Sequence, residues 1–270
     1  MKKGIPLFIF FLCSVYLSEG QNNLIISLGP SIPTGNYGSK NIRNNGSGFA
    51  STGGAVAISY THLASKKIGF SVSLQGQLNP LANSKLEQSF NDLLITDITV
   101  WAGTSPGQIP PAPTTGTKYP NWKFEKNSWW TTSLLIGAYG EFPISKDSKT
   151  SIVVNLAFGP SYTSAPPIKG SSVGTVASAY HEQSGGKAWG LGFDINAGVK
   201  RNITEKLFFQ FTASHFAAPS LSFKNITAKT TIIKGSPGSP DFSISQSSIT
   251  GNGKQSINTL YFGFGLGIRL

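Results

Sequence analysis

The feature that most constrains this chain is an alternation of apolar with small or polar residues at a period of two. In residues 188–200, six apolar side chains take every second position, and Gly, Asp, Asn and Lys take the positions between them. Residues 68–78 and 258–270 follow the same rule. Because successive side chains of a β-strand point to opposite faces, each segment is predicted to be a strand with one apolar face.

Five further segments follow the alternation less strictly and bring the number of predicted strands to eight: 23–33, 54–64, 128–142, 151–163 and 207–217. Each is long enough to cross a bilayer as a tilted strand, which takes about 9–11 residues. Period alone does not separate a membrane barrel from a soluble sandwich, in which the apolar face also alternates.

The connections between these strands favour a barrel. Short polar turns follow the second, fourth and sixth strands, whereas long segments follow the first, third, fifth and seventh: 34–53, 79–127, 164–187 and 218–255. Short periplasmic turns opposite long outer loops are typical of outer-membrane barrels. Within the long segments, Lys85–Leu94 is predicted to form a short helix, and residues 230–250 are predicted to extend the barrel as a hairpin.

The positions of the tryptophans also favour a barrel, since all five lie in or beside long connections: Trp101, Trp122, Trp129, Trp130 and Trp189. Such a distribution suits an aromatic belt at the membrane interface. The prediction is therefore an all-β fold, a transmembrane antiparallel up-and-down β-barrel of eight strands whose last strand pairs with its first. Ten strands are the alternative, if part of 86–101 pairs with another loop segment.

The N-terminus has the layout of a secretory signal. A basic start, about a dozen apolar residues and small residues at Ser18 and Gly20 predict cleavage after residue 20. Residues 21–270 would then form the barrel domain, in the cell outer membrane. Removal of residues 1–20 removes Cys13, the only cysteine, which excludes disulfides and thiolate chemistry. The histidines are expected to lie too far apart for one metal, and no metal or cofactor is predicted.

Several short motifs carry a resemblance to a known family. They are Leu28-Gly29-Pro30, the run Pro33–Gly38, the run Leu135–Pro143, Phe158–Ser161 and the glycine-rich closing strand. With these the chain resembles the OmpA-like outer-membrane β-barrel domains of the Bacteroidota, although it ends in Leu270 where many such barrels end in Phe. The resemblance implies insertion by the barrel-assembly machinery and implies no activity.

Charged residues at inward-facing positions form the first candidate site. Glu141, Lys200 and Arg269 fall near the short-turn end of their strands, and Asp194 lies further along the lumen. Buried charges must pair or be hydrated. They are interpreted either as a structural plug of ion pairs or as part of a polar path for small solutes or ions.

Lysines of the fourth long segment form the second candidate site: Lys224, Lys229, Lys234 and Lys254. The net charge of +11 fits anionic partners, and the predicted export argues against nucleic acid. Near an outer rim these lysines could meet lipopolysaccharide phosphates or simply be solvated.

Four functions remain open from the sequence. The leading one is a non-enzymatic barrel with a structural or surface-interaction role, exerted through long outer loops in contact with outer-membrane lipid. The others are a narrow pore, an accessory subunit of a secretion or motility complex, and a lipid A-modifying enzyme. The enzyme hypothesis rests on the adjacent Ser214 and His215. However, Ser214 occupies an inward-facing position of its strand, and no carboxylate lies at a suitable spacing on that strand.

Overall fold

The computed structural model describes residues 21–42, 46–65, 67–92, 94–95, 117–145, 149–174, 177–235 and 237–270. The predicted signal peptide and Trp101 lie outside these residues, so the signal peptide stays a prediction. The described strands and helices are β1 (Gln21–Pro33), α1 (Gly35–Gly38), β2 (Gly53–Leu63), β3 (Ile68–Pro80), α2 (Asn83–Asn91), β4 (Leu94–Ile95), β5 (Thr117–Lys118), β6 (Lys123–Phe124), β7 (Ser128–Pro143), β8 (Thr150–Ala165), β9 (Ile168–Val173), β10 (Ala177–Gln183), β11 (Gly186–Asn202), β12 (Leu207–Lys234) and β13 (Ser243–Arg269).

Among the described residues, eight antiparallel strands close into a ring. The order is β1-β2-β3-β7-β8-β11-β12-β13, and β13 pairs with β1 from Asn23↔Arg269 to Pro33↔Thr259. Each ring strand covers one of the eight predicted segments to within one residue, β12 and β13 run well beyond theirs, and the predicted pairing of last with first is confirmed. Closure leaves the wall without an edge.

The outer face of the ring is apolar over its whole circumference. Each strand contributes at least one large exposed hydrophobic side chain: Leu28, Val56, Leu74, Leu134, Leu156, Leu191, Phe211 and Phe264, each 46–65 % exposed. The alternate positions point inward and are polar, small or glycine. Because a protein surrounded by water rarely exposes so large a continuous apolar surface, this exterior is one that faces lipid.

Among the described helices, none is long and apolar enough to cross a membrane.

A second sheet continues from the wall at the long-loop end, hereafter the outer end. β12 and β13 extend beyond the ring as the predicted hairpin, paired up to Lys234↔Ser243. The upper part of β12 pairs with β10, β10 pairs with β9, and β9 pairs with β6. The outer sheet therefore has the order β13-β12-β10-β9-β6.

The main hydrophobic core lies inside this outer end. The loops, α1 and α2 bring together a group of buried apolar side chains that we call the cap: Tyr37, Phe49, Leu81, Leu86, Phe90, Trp122, Phe124, Trp129, Phe223 and Ile226. α2 confirms the predicted short helix, and it contributes Leu86 and Phe90, four residues apart on one face.

The predicted tryptophan belt is wrong for two of its members. Trp122 and Trp129 are buried in the cap, whereas Trp130 and Trp189 are exposed on the outer face. Alternation explains the difference within the pair at 129 and 130: adjacent strand residues point to opposite sides of the wall.

Candidate functional site

The lumen is filled in layers, beginning at the short-turn end with an ion pair. The Nζ of Lys200 lies 2.9 Å from Oε2 of Glu141, and both side chains are buried. Lys200 also lies 4.2 Å from the centroid of the Phe208 ring and donates a hydrogen bond to Asn23. The hydroxyl of Tyr139 donates to the same Glu141 oxygen. The pair therefore has the additional polar partners that a buried charge requires.

Arg269 lies beside the pair, in register with the Asn23 that accepts a hydrogen bond from Lys200, whereas Asp194 lies apart from it. Arg269 donates a hydrogen bond to the backbone oxygen of Glu205, 3.2 Å away in the turn that precedes β12. Asp194 is buried in the middle of the lumen, where it accepts a hydrogen bond from Ser214. The four charges thus form one ion pair, one turn contact and one mid-lumen hydrogen bond.

A small polar cavity surrounds Asp194. Its volume is about 40 Å³, and its walls include Gln75, Asn155, Asn196 and Gln210. Such a cavity holds a few water molecules, since one needs roughly 10–15 Å³. The middle of the lumen is thus a closed polar pocket between the ion pair below and a hydrogen-bonded layer above.

That upper layer joins strands across the barrel. Gln77 accepts hydrogen bonds from Thr259 at 2.9 Å and from Ser31 at 3.3 Å, and Asn79 accepts one from Ser31. Tyr37 of the cap donates to Asn79 as well. Burial raises the pKa of the Tyr37 hydroxyl well above its usual range, so it remains a donor at any physiological pH.

The cap closes the outer end of the lumen. Trp129 points into the barrel and donates a hydrogen bond from Nε1 to the backbone oxygen of Gly48 at 2.8 Å. Its ring packs edge-on against Tyr37 and Phe223, with centroids 5.5 and 6.0 Å away. Phe90, Trp122 and Phe124 stack further out. This packing holds the outer loops in a folded arrangement over the lumen.

The sequence did not predict the cap, and His181 shows why. It lies in the third long connection of the sequence, yet it is 5 % exposed. It faces the Phe90 ring and bonds through Nδ1 to the hydroxyl of Thr230. Burial lowers its pKa from 6.5 to about 4. The sequence feature that could have indicated the cap is the number of aromatic residues in 119–129, which is high for a solvated loop.

The four predicted anion-binding lysines are spread along the β12–β13 hairpin. Lys224 and Lys254 lie low on it, near the wall, and Lys254 pairs in register with Ser222. Lys229 lies higher, in register with Glu182, and Lys234 lies at the end of β12. The structure therefore brings two of the four close together near the rim of the barrel.

Ser214 and His215 do not form a catalytic pair. Ser214 is buried in the lumen, whereas His215 is exposed on the outer face of the same strand. The Asp194 carboxylate that bonds to Ser214 therefore lies on the opposite side of the wall from the imidazole. A nucleophile and base must lie within hydrogen-bond reach of each other, which this arrangement prevents.

No family model and no curated protein matches the sequence. Among solved structures, the chain is similar to Neisserial surface protein A, with a TM-score of 0.43, 8 % identity and coverage of 92 % of this chain and 97 % of that one. Ail of Yersinia pestis gives 0.42, 9 %, 93 % and 99 %, and OprG of Pseudomonas aeruginosa gives 0.37, 11 %, 93 % and 97 %.

A closed antiparallel ring with an apolar exterior, a polar interior and short turns at one end is the architecture of outer-membrane proteins. This chain is an integral outer-membrane β-barrel. The predicted fold and location are confirmed.

Proposed function

We propose that this protein acts at the cell surface through its folded outer end, as a non-enzymatic interaction protein rather than a pore. On the motifs given above, we also propose that it is an OmpA-like barrel of the Bacteroidota type. The observation that carries the functional proposal is the cap, which covers a lumen already filled by an ion pair and hydrogen-bonded side chains.

The outer sheet offers a surface for a partner. Val173, Ser178, Ile233 and Ile244 form one row across β9, β10, β12 and β13, because each is in register with the next. Val173 and Ile244 are 68 % and 60 % exposed. Three of the four side chains are apolar and two of these are largely exposed, and apolar groups exposed beyond the lipid-facing wall are typical of a surface that meets another protein.

Conductance in planar bilayers tests the pore alternative. The purified chain is expected to give no reproducible steps under conditions in which a general porin conducts. Regular open-state events from the intact chain would contradict the proposal.

A photo-crosslinking amino acid at Ile244 tests the interaction surface in native membranes. The matched control is the same amino acid at Leu156, which is equally exposed but lies on the lipid-facing wall. Ile244 is expected to yield protein adducts and Leu156 only lipid. Equal protein adducts from both positions would count against the outer sheet as the binding surface.

A further inference from the structure

The wall of the barrel opens on one side near its outer rim. β11 pairs with β12 from Asn202↔Phe208 up to Phe193↔Ala217, and pairing with β12 resumes only at Gln183↔Ala228 of β10. Between these levels, residues 186–192 of β11 pair with β8 alone. The two strands therefore separate over about seven residues of β11.

β12 bends away here for reasons visible in its backbone. Ser220 and Asn225 have positive φ angles of 54° and 57°, which non-glycine residues adopt at a cost. The ladder with β13 shifts register between Ala218 and Leu221 and again between Phe223 and Ile226. Two irregularities so close together take the strand out of line with β11.

The separation leaves a groove on the outside of the wall. We call it the rim groove; it has a volume of about 720 Å³ and is lined by Ser164, Ala165, Pro167, Gly185, Gly186, Lys187, Ala188, Trp189, Ser222 and Lys224. Leu221, Phe223 and Ile226 are buried behind it. A Cβ atom at Gly186 or Gly190 would overlap Ile226 or Leu221, so the glycines let these side chains close the groove towards the lumen.

Lysine side chains lie at the edges of the rim groove. Lys187 and Lys224 line it, and Lys254 lies in register with Ser222 of its wall. Within the part of the chain that the structure describes, none of the three forms an ion pair with a carboxylate. Lys169, by contrast, lies 2.7 Å from Glu182, which also attracts Lys229. Three cations that are not neutralised by these carboxylates therefore lie at or beside the groove.

The depth of the groove places these cations at the lipid headgroups. Trp189 lies two residues below Lys187 on the same face, about 7 Å along the strand, and its ring is 5.0 Å from that of Tyr162. Such aromatic pairs mark the interface of a membrane. Below Trp189 the exposed face continues with Leu191 and Phe193, which contact acyl chains.

We infer that the rim groove binds a phosphorylated lipid of the outer leaflet. The phosphate lies between Lys187 and Lys224, the headgroup rests on the apolar floor beside Trp189, and an acyl chain follows Leu191 and Phe193 down the wall. Lys254 adds to the attraction without lining the groove. This site is separate from the outer sheet proposed above to meet a protein, and either can exist without the other.

The test measures binding of bis-phosphorylated lipid A to the full chain in detergent micelles, read from Trp fluorescence and by native mass spectrometry. The variant Lys187→Gln/Lys224→Gln is expected to bind about 30-fold more weakly, since each lysine near a phosphorylated surface contributes about fivefold. Lys187→Arg/Lys224→Arg should retain the affinity. The matched control, Lys169→Gln/Lys229→Gln, removes the same charge from the outer sheet and should change the affinity less than twofold.

Two further probes identify the ligand class. Lipid A without phosphates is expected to bind the wild-type chain as weakly as phosphorylated lipid A binds the glutamine variant, and inorganic phosphate at millimolar concentration is expected not to compete. The inference is overturned if the two glutamine variants lose affinity equally, if removal of the phosphates has no effect, or if inorganic phosphate displaces the lipid. Heat-modifiable gel mobility confirms that every variant is a closed barrel.

Discussion

Replacing Lys200 by Met is expected to destabilise the barrel through its partner. Lys200 is 1 % exposed, and its Nζ lies 2.9 Å from the Glu141 carboxylate. Met keeps most of the packing of the lysine stem, including contact with the Phe208 ring. The change therefore leaves a buried carboxylate whose cation is gone and whose remaining partner is the Tyr139 hydroxyl.

The magnitude follows from what an unpaired buried charge costs. Removing one partner of a buried ion pair costs about 3–5 kcal/mol. The Tyr139 hydroxyl and the nearby polar cavity place this site at the lower end. We expect a loss of about 3 kcal/mol in the free energy of unfolding, which is roughly a 150-fold change in the equilibrium constant. In Lys200→Met/Glu141→Gln no charge is left unpaired, so most of the loss should be recovered.

Urea titration of the barrel in lipid vesicles, followed by Trp fluorescence, measures these free energies. The control is Arg201→Met, which removes a neighbouring cation whose side chain is exposed on the other side of β11 and should cost less than about 1 kcal/mol. The reasoning fails if Lys200→Met is as mild as this control. It also fails if the double variant is less stable than Lys200→Met alone.

Three further predictions concern the cap and the seam between β1 and β13, where the ring closes. Trp129→Ala should open the cap and make the outer loops sensitive to proteolysis, whereas Trp130→Ala, on the lipid side, should not; equal cleavage would refute the cap. Gly29→Ala should lower the free energy of unfolding by about 1–3 kcal/mol, because its Cβ would overlap the Phe262 carbonyl oxygen across the β1–β13 seam; a neutral urea titration would contradict this. Because burial lowers the pKa of His181 from 6.5 to about 4, the unfolded cap binds a proton that the folded cap excludes. Its stability should be complete above pH 6.5 and fall by up to about 3 kcal/mol towards pH 4, measured by amide exchange in β10, and His181→Leu should remove this dependence.

The wall of the barrel is predictable because its two faces meet different solvents. In β11 the residues Leu191 and Phe193 face lipid, while Asp194 and Lys200 face the lumen, as the alternation predicts once the short turns and long connections have favoured a barrel over a sandwich. The same parity places Glu141 inside on β7. Its contact with Lys200 depends on the shear of the ring, which alternation does not specify, and so does the position of Arg269 beside that pair.

The cap is not predictable in this way because its contacts carry no period. The parity of β7 assigns Trp129 to the inside and Trp130 to the outside, but it does not give the loops that Trp129 contacts there. His181 is buried only because β10 leaves the ring and pairs with the upper part of β12. The sequence does not group Lys187 with the candidate lysines, because it lies at the start of the wall strand β11 and not in the lysine-rich fourth segment.

The point at which the wall opens is also the point at which the chain leaves the membrane. On β13 the outward-facing residues change from Phe262 and Leu260 to Lys254, so the same parity meets lipid below and water above. Within the bilayer an unpaired backbone group is costly, because lipid offers it no hydrogen bond. At the headgroups water and phosphates can satisfy such groups, so a separation of β11 and β12 costs least close to that level. The aromatic pair of Trp189 and Tyr162 marks this level independently. The boundary between acyl chains and headgroups therefore sets both the height of the barrel wall and the level of the rim groove.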